Sequence, residues 1–116
     1  MRSNGNLLIN NLIGLRPSGV KKSNMNGILL CCSHNNIIGE NQSSISGYAS
    51  NIISGNKENG IKLCNSSKNI IQSNFIGTNI TGENAIPNGI NGIAICKKSN
   101  GNRIGGKVYT NSDDIT

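Results

Sequence analysis

A six-residue motif that occurs three times constrains this chain more than any other feature. It reads Asn-Gly-Ile-x-x-Cys and occupies Asn26–Cys31, Asn59–Cys64 and Asn91–Cys96. The glycines of the motif lie 33 and then 32 residues apart. A period of roughly 20 to 50 residues is typical of solenoids and repeat arrays, because each unit buries its apolar face against the next one. The repeat therefore predicts the architecture before it predicts any chemistry.

Two shorter repeats, both of the form Asn-x-Ile, follow the same rhythm. They occur at Asn36–Ile38, Asn69–Ile71 and Asn102–Ile104, and at Asn11–Ile13, Asn51–Ile53 and Asn74–Ile76. The 116 residues include 22 Asn, 19 Ile and 15 Gly. This composition disfavours helices, because Asn and Gly are poor helix formers and Ile is stiff at χ1. It favours short strands joined by tight turns, where Asn and Gly accept left-handed backbone angles.

The middle unit shows how one repeat folds. Three short strands are predicted at Gly60–Cys64, Asn69–Gln72 and Asn74–Gly77, with a polar turn between the first two. The second and third strands leave no room for a hairpin between them. Strands that bend at polar corners, each followed one repeat later by its own copy, predict a three-faced coil. Successive copies would stack in parallel about 4.8 Å apart.

Loop insertions at alternating corners account for the length of the repeat. Two insertions, Leu15–Met25 and Thr78–Ile90, follow the third strand of their coils. Another, Glu40–Ser50, follows the second strand, and Gly105–Gly106 begins a further one of that kind. The sequence thus predicts a two-coil super-repeat of 65 residues, the distance from Gly27 to Gly92.

Alternation along each strand predicts which side chains form the core and which line the corners. The predicted structural core comprises Ile28, Leu30, Ile38, Ile53, Ile61, Leu63, Ile71, Ile76, Ile93, Ile95 and Ile104. Stacked asparagines whose amides satisfy the corner backbone are predicted in two files, Asn36–Asn69–Asn102 and Asn11–Asn51–Asn74. The alternative interpretation is that these asparagines are ordinary surface loop residues.

Four segments carry a resemblance to a known family: Asn51–Asn56, Asn59–Leu63, Phe75–Gly82 and Asn102–Gly106. They resemble the right-handed parallel β-helix repeats of the pectate-lyase-like superfamily. The nearest similarity is to the Asn-rich repeats of periplasmic copper-binding-type proteins and of bacterial surface or autotransporter-like proteins. The resemblance covers about residues 6 to 106. It implies an all-β fold, a right-handed single-stranded parallel β-helix (solenoid) of about three to four coils with three short strands each.

The domain organisation follows from the same repeats. We expect a single β-helix segment over residues 1–116, divided into repeats at about 6–26, 27–59, 60–91 and 92–106 and a tail at 107–116. The pattern already runs at Asn6 and still runs at Arg103, so we expect a fragment of a longer repeat protein whose partners include flanking β-helix coils. The resemblance implies an extracellular or cell-surface location. No signal peptide is visible and no membrane insertion is expected, so the compartment is left open.

The carboxylates argue against catalysis. Carbohydrate-cleaving β-helix proteins use carboxylates clustered on adjacent coils, whereas the five acids of this chain are scattered: Glu40, Glu58, Glu83, Asp113 and Asp114. No two of them occupy the same column of neighbouring coils, as a catalytic pair about 5–10 Å apart would require. We therefore predict no catalytic residues and no cofactor.

The cysteines admit two interpretations. Cys31, Cys64 and Cys96 fall at one point of the repeat, just after the first strand, and His34 lies nearby. Stacked thiols about 5 Å apart could bind a soft metal, with His34 as a further ligand. The simpler interpretation is that a small side chain ends the strand and that no metal is bound. A disulfide is disfavoured because side chains in one parallel column point the same way.

The formal charge of +6 could attract nucleic acid or acidic polysaccharide. Aromatic side chains are only 3% of the chain, too few for the stacking platforms that bind single strands. Lys62, Lys68 and Lys97 fall near the outer side of the first strand and its turn, either as a modest basic strip or as a solvated face.

The function predicted from the sequence is a non-catalytic repeat segment that acts as a rigid scaffold or recognition surface and contacts carbohydrate. The alternative is a remnant of a β-helix polysaccharide lyase or hydrolase whose catalytic coils lie outside this chain. Because a solenoid coil buries its core only against neighbours, end-to-end self-association of the isolated chain is also expected.

Overall fold

The computed structural model describes residues 4–39 and 50–105, and these form ten β-strands and no helix. In chain order the strands are β1 Leu7–Leu8, β2 Leu12–Ile13, β3 Asn26–Cys31, β4 Ile37–Gly39, β5 Ile52–Ile53, β6 Asn59–Cys64, β7 Ile70–Gln72, β8 Phe75–Ile76, β9 Asn91–Cys96 and β10 Arg103–Ile104. The all-β prediction is confirmed for this part of the chain.

The strands form three parallel sheets that the chain visits in turn. Sheet 1 has the order β3-β6-β9, sheet 2 the order β1-β4-β7-β10, and sheet 3 the order β2-β5-β8. The register joins equivalent repeat positions, so that Ile28 lies beside Ile61 and Ile61 beside Ile93. Parallel strands in register, each paired with its copy one repeat away, fit a parallel β-helix-like solenoid.

Residues with left-handed backbone angles turn the chain at the corners between strands. The residue before each asparagine of the sheet 2 corner has positive φ: 74° at Gly5, 58° at Asn35, 60° at Lys68 and 67° at Gly101. Asn10 and Ser73, with φ of 60° and 61°, turn the chain in the same way before Asn11 and Asn74. Gly and Asn tolerate this conformation best, which gives the Asn/Gly-rich composition a physical role.

Both predicted asparagine files are hydrogen-bonded along their length. Asn69 is fully buried, and its Oδ1 accepts from the backbone N–H and the Nδ2 of Asn36, at 2.8 and 3.1 Å. Its own Nδ2 donates forward to Asn102 Oδ1 and back to the Ser33 carbonyl. In the other file, Asn51 Oδ1 accepts from the backbone N–H and the Nδ2 of Asn11, and Asn51 Nδ2 donates to Asn74 Oδ1 and to the Leu8 carbonyl. Buried amides at the corners are therefore paired, which removes the main cost of placing them there.

The core is a narrow aliphatic column between the three sheets. Seven of the predicted core residues are buried and form one cluster: Ile28, Leu30, Ile38, Ile53, Ile61, Leu63 and Ile71. Ile76 and Ile93 are partly buried and pack against that cluster. Ile95 and Ile104, which the pattern also assigned to the core, are each 46% exposed. They lie on β9 and β10, and no described strand stacks on the outer edge of either one.

The insertions after the third strand form short loops closed by antiparallel bridges. Leu15 pairs with Lys21 in one loop, and Thr78 pairs with Ala85 in the other. The predicted insertion after the second strand falls almost wholly on residues 40–49, which lie outside the described residues, as do Gly106 and the tail at 107–116.

Candidate functional site

The outer face of sheet 1 carries three of the four cysteines in a column. Cys31, Cys64 and Cys96 are the last residues of β3, β6 and β9, and the register places Cys31 beside Cys64 and Cys64 beside Cys96. All three are half-buried, and each follows an inward-facing residue, so the alternation turns their side chains outward. We call these three residues the cysteine file. The thiols thus end the strands, as the predicted strand Gly60–Cys64 implied.

The central thiol of the cysteine file interacts with both neighbours. A hydrogen bond to the Cys96 thiol raises the pKa of Cys64, and partial burial adds to that increase. Repulsion from negative charge on Cys96 and Cys31 acts in the same direction, while the nearby Lys62 ammonium opposes it. A second thiolate beside a first is disfavoured, so the Cys64 thiol holds its proton more tightly than an isolated thiol would.

Cys32 and His34 serve the corner that follows β3. Cys32 has a left-handed φ of 56°, and its Sγ accepts a hydrogen bond from Asn65 Nδ2 at 3.4 Å. His34 Nδ1 accepts from the backbone N–H of Ser67 at 3.0 Å. The ring nitrogen nearest the backbone is therefore occupied, and the imidazole acts as a link between coils.

The four predicted metal candidates do not meet in one cluster. Within residues 4–39 and 50–105, no group of three or more His, Cys, Asp or Glu side chains is arranged to hold a metal ion. The cysteine file is linear, and His34 is engaged at the corner. A compact tetrahedral centre of the kind that zinc prefers is not formed by these residues.

The described carboxylates belong to separate elements. Glu58 is half-buried and lies just before β6, whereas Glu83 is exposed in the loop between β8 and β9, where its N–H donates to Asn79 Oδ1. The register pairs neither of them with another acid. The remaining acids, Glu40, Asp113 and Asp114, lie outside the described residues.

The lysines near sheet 1 do not form a column on its strands. Lys62 is half-buried on the outer face, and its register neighbours are Leu29 and Ala94. Lys68 and Lys97 are exposed at the corner. The arrangement of these lysines fits a solvated face better than a basic strip, with one lysine beside the cysteine file.

Two further polar files occupy corners that sequence reasoning missed. Asn24, Asn56 and Asn88 repeat the bonding of the predicted files, with each amide oxygen accepting from the preceding residue of the file. Their spacing of 32 residues was visible, but the linker to the next strand is one residue shorter after Asn24, which hid the alignment. The other file comprises Ser33, Ser66 and Ser99, in which the Ser66 hydroxyl accepts from the backbone N–H of Ser33 and the Ser99 hydroxyl from that of Ser66.

An open cleft marks the C-terminal end of the described stack. It has a volume of about 140 Å³, and its walls include Ile71, Ile76, Ile93 and Ile104. Gln72 also lines it, and this side chain is only 4% exposed while its Oε1 has no hydrogen-bond partner among the described residues. A buried acceptor without a donor carries a cost in free energy.

Comparisons with known proteins give no relative from which to transfer a function. No family model, no curated protein and no solved structure matches the chain at a significant level. The described part of the chain contains no helix that is long and apolar enough to cross a membrane.

Proposed function

We propose that this chain is a segment of a right-handed parallel β-helix that acts as a rigid, non-catalytic scaffold or recognition surface between flanking coils. The observation that carries the proposal is the direction of the asparagine files. The interior amides of these files, Asn36, Asn51 and Asn69, donate forward to the next coil and accept from the preceding one. Such a file favours unlimited stacking, because each added coil satisfies the open groups of the last.

The two ends of the described stack are accordingly complementary. At the N-terminal end, Asn6 and Asn11 present amide oxygens that accept nothing from the described residues. At the C-terminal end, Asn102 donates back to the Ser66 carbonyl, and its backbone N–H has no acceptor among the described residues. Because open acceptors lie at the N-terminal end and an open donor lies at the C-terminal end, further coils would stack with the same chain direction as the coils described.

Apolar exposure at both ends supports the same proposal. Leu8 on β1 is only partly buried although its register partner Ile38 is fully buried, and Ile95 and Ile104 at the other end are each 46% exposed. Open strand edges beside exposed aliphatic side chains favour association with another strand. We therefore expect the isolated chain to self-associate end to end. Sedimentation velocity over a range of concentrations should show this, and a well-folded, strictly monomeric species at high concentration would contradict it.

Within residues 4–39 and 50–105 the register pairs no two acids, which supports the non-catalytic part of the proposal. Purified protein should release neither reducing ends nor unsaturated products from pectate or alginate. Product release that survives further purification would overturn this part of the proposal. Contact with carbohydrate rests on the family resemblance alone, and binding to a glycan array tests it separately from cleavage.

A tandem duplication tests the scaffold proposal most sharply. Repeating residues 27–91 in the chain joins Asn91 to a second Gly27, which recreates the Asn-Gly-Ile motif at the junction. The duplicated chain should keep the same β-sheet circular dichroism per residue and unfold at a higher temperature, because interior coils are added while the ends stay the same. As a matched control, duplicating residues 27–80 ends the unit inside a loop and should destabilise the chain. Equal behaviour of both duplications would contradict the proposal.

A further inference from the structure

We propose that Asn100-Gly101 is a site of spontaneous covalent modification, at which the asparagine converts to aspartate and isoaspartate while no further coil covers this end of the stack. Asparagine is a thermally labile residue, and a following glycine favours its conversion because a residue without a Cβ obstructs the reaction least. Six Asn-Gly dipeptides occur in the chain, beginning at Asn4, Asn26, Asn59, Asn88, Asn91 and Asn100. The hydrogen bonds between coils distinguish the last of them.

The reaction is intramolecular and needs only water as a co-reactant. The backbone nitrogen of Gly101 attacks Cγ of Asn100 and loses its proton to water, so that a new C–N bond forms, the bond from Cγ to Nδ2 breaks and ammonia leaves. Water then opens the cyclic succinimide at either carbonyl, which gives aspartate or isoaspartate. No electron is transferred. Attack requires the side chain and the backbone N–H to come together, so hydrogen bonds that hold either group elsewhere slow it.

Both reacting groups belong to a corner at which successive coils are bonded to each other. The residue pairs at this corner, which we call the corner column, are Asn4-Gly5, His34-Asn35, Ser67-Lys68 and Asn100-Gly101. In the first three pairs, the N–H of the second residue donates to a carbonyl of the next coil, at 3.0 to 3.3 Å. The side chain of the first residue accepts a backbone N–H of the next coil, at 2.7 to 3.0 Å.

The fourth pair of the corner column has no described coil beyond it. Asn100 and Gly101 are both exposed. Within residues 4–39 and 50–105, the Gly101 N–H has no acceptor and the Asn100 side chain has no hydrogen-bond partner. The nucleophile and the carbon that it attacks are therefore the two groups that the missing inter-coil bonds would have engaged.

The first pair of the corner column is a matched control. Residues 3–6 and 99–102 have the same sequence, Ser-Asn-Gly-Asn, and both glycines have left-handed φ, 74° at Gly5 and 67° at Gly101. Asn4 and Gly5 are exposed as well. The two sites differ in their hydrogen bonds, because Asn4 Oδ1 accepts from the His34 N–H and the Gly5 N–H donates to the His34 carbonyl. Reaction at Asn4 requires those bonds to open first.

The other four Asn-Gly dipeptides are held by strands or by a polar file. Three begin the strands β3, β6 and β9, where Asn59 Nδ2 donates to Asn26 Oδ1 and Asn91 Nδ2 donates to Asn59 Oδ1. In the fourth, Asn88 Oδ1 accepts from Asn56, and the Gly89 N–H donates to the Asn56 carbonyl. Their side chains are therefore engaged in bonds between coils.

The products mark an uncovered end of the stack. Both add a negative charge at the corner, and isoaspartate also lengthens the backbone by one methylene where the next coil has to align. A coil stacked on this end would engage Asn100 and Gly101 as the earlier pairs are engaged, and so would suppress the reaction. This protection rests on the proposed scaffold function, whereas the reactivity of Asn100 in the present chain does not.

The first test is incubation of the folded chain at neutral pH, followed by tryptic mapping that separates the asparagine, aspartate and isoaspartate forms. Conversion at Asn100 should be at least about fivefold faster than at Asn4, as expected where two hydrogen bonds no longer hold the groups apart. In urea the two identical tetrapeptides should react within a factor of about two, because the unfolded chain keeps neither bond. Asn100→Ser should abolish the faster reaction and Asn4→Ser should leave it unchanged. Conversion at Asn4 as fast as at Asn100 in the folded chain would overturn the assignment.

The second test adds a covering coil. Repeating residues 40–105 joins Gly105 to a second Glu40, as Gly39 is joined to Glu40 in the chain, and stacks the second Ser67 on the first Asn100. Arg103→Lys in the second copy distinguishes the two tryptic peptides. The first Asn100 should react at least about fivefold more slowly than the second. Equal rates in a chain that keeps its β-sheet circular dichroism would overturn protection by stacking, while the contrast with Asn4 in the original chain would still establish the site.

Discussion

The second and third copies of the six-residue motif have nearly the same sequence and very different surroundings. In Asn59–Cys64 four residues are buried among the first five, whereas Asn91–Cys96 has no buried residue at all. Leu63 is fully buried, and its register partner Ile95 is 46% exposed. The difference is one of neighbours, because β6 lies between β3 and β9 while β9 has a described neighbour on one side only. Burial in this fold is therefore a property of the stack and not of the motif.

The largest effect should come from a polar substitution in the middle strand. Ile61→Asn places an amide without partners in the centre of the core and removes aliphatic packing, so we expect a loss of about 3 kcal/mol or more in the free energy of unfolding. Ile95→Asn, the same change on the exposed edge, should cost less than about 1 kcal/mol. Urea denaturation of both variants measures the difference, and equal stabilities would show that the two strands are equivalent after all.

The asparagine files should give the next largest contrast. Asn69→Ala removes the amide oxygen that accepts from Asn36 and the amide nitrogen that donates to Asn102 and to the Ser33 carbonyl, at about 1–3 kcal/mol for the loss of buried hydrogen bonds. Asn102→Ala at the end of the same file removes fewer bonds and should cost less. Thermal unfolding of the pair distinguishes the hydrogen-bonded file from a set of surface asparagines, for which the two substitutions would be equally mild.

The motif glycines sharpen the comparison on steric grounds. A Cβ at Gly60 would lie 2.6 Å from the Gly92 carbonyl oxygen, whereas a Cβ at Gly92 would meet only the Ile76 side chain, at 3.3 Å. Gly60→Ala should therefore destabilise by about 1–3 kcal/mol, and Gly92→Ala should be nearly neutral. A shift in thermal midpoint of similar size for both would contradict the close contact between β6 and β9.

The smallest effect is chemical. Because the hydrogen bond to Cys96 raises the pKa of Cys64, the Cys64 thiolate forms at higher pH than an ordinary thiolate does, and alkylation of Cys64 near pH 8 should be slow. Cys96→Ser removes the thiol–thiol contact and should speed that alkylation. Peptide mapping after iodoacetamide treatment provides the rates. An unchanged rate in Cys96→Ser would mean that the hydrogen bond is not the cause of the raised pKa.

The sequence predicted the periodic parts of the molecule and missed the aperiodic ones. Strict repetition revealed the register of sheet 1 and two asparagine files, because equal spacing implies stacking. A linker one residue shorter concealed the file of Asn24, Asn56 and Asn88. The exposure of Ile95 and Ile104 also lay beyond the pattern, since alternation assigns a face to each residue but does not say whether a neighbouring strand covers it.

At the candidate site, too, the sequence predicted the periodic features and missed the others. Spacing alone aligned Cys31, Cys64 and Cys96, whereas their outward orientation and the engagement of His34 Nδ1 by Ser67 required three-dimensional structure. Proximity in sequence suggested His34 as a ligand. Its position in the corner assigned it instead to a bond between coils.

Hydrogen exchange of the backbone amides tests the central claim, that neighbours and not the motif determine burial and stability. In the chain as it stands, amides of Asn59–Cys64 should exchange most slowly and those of Asn91–Cys96 much faster. In the chain with residues 27–91 duplicated, the copy of Asn59–Cys64 and the junction motif both become interior, and the junction motif should gain protection equal to that of Asn59–Cys64. A junction motif that still exchanges as fast as Asn91–Cys96 would contradict the claim.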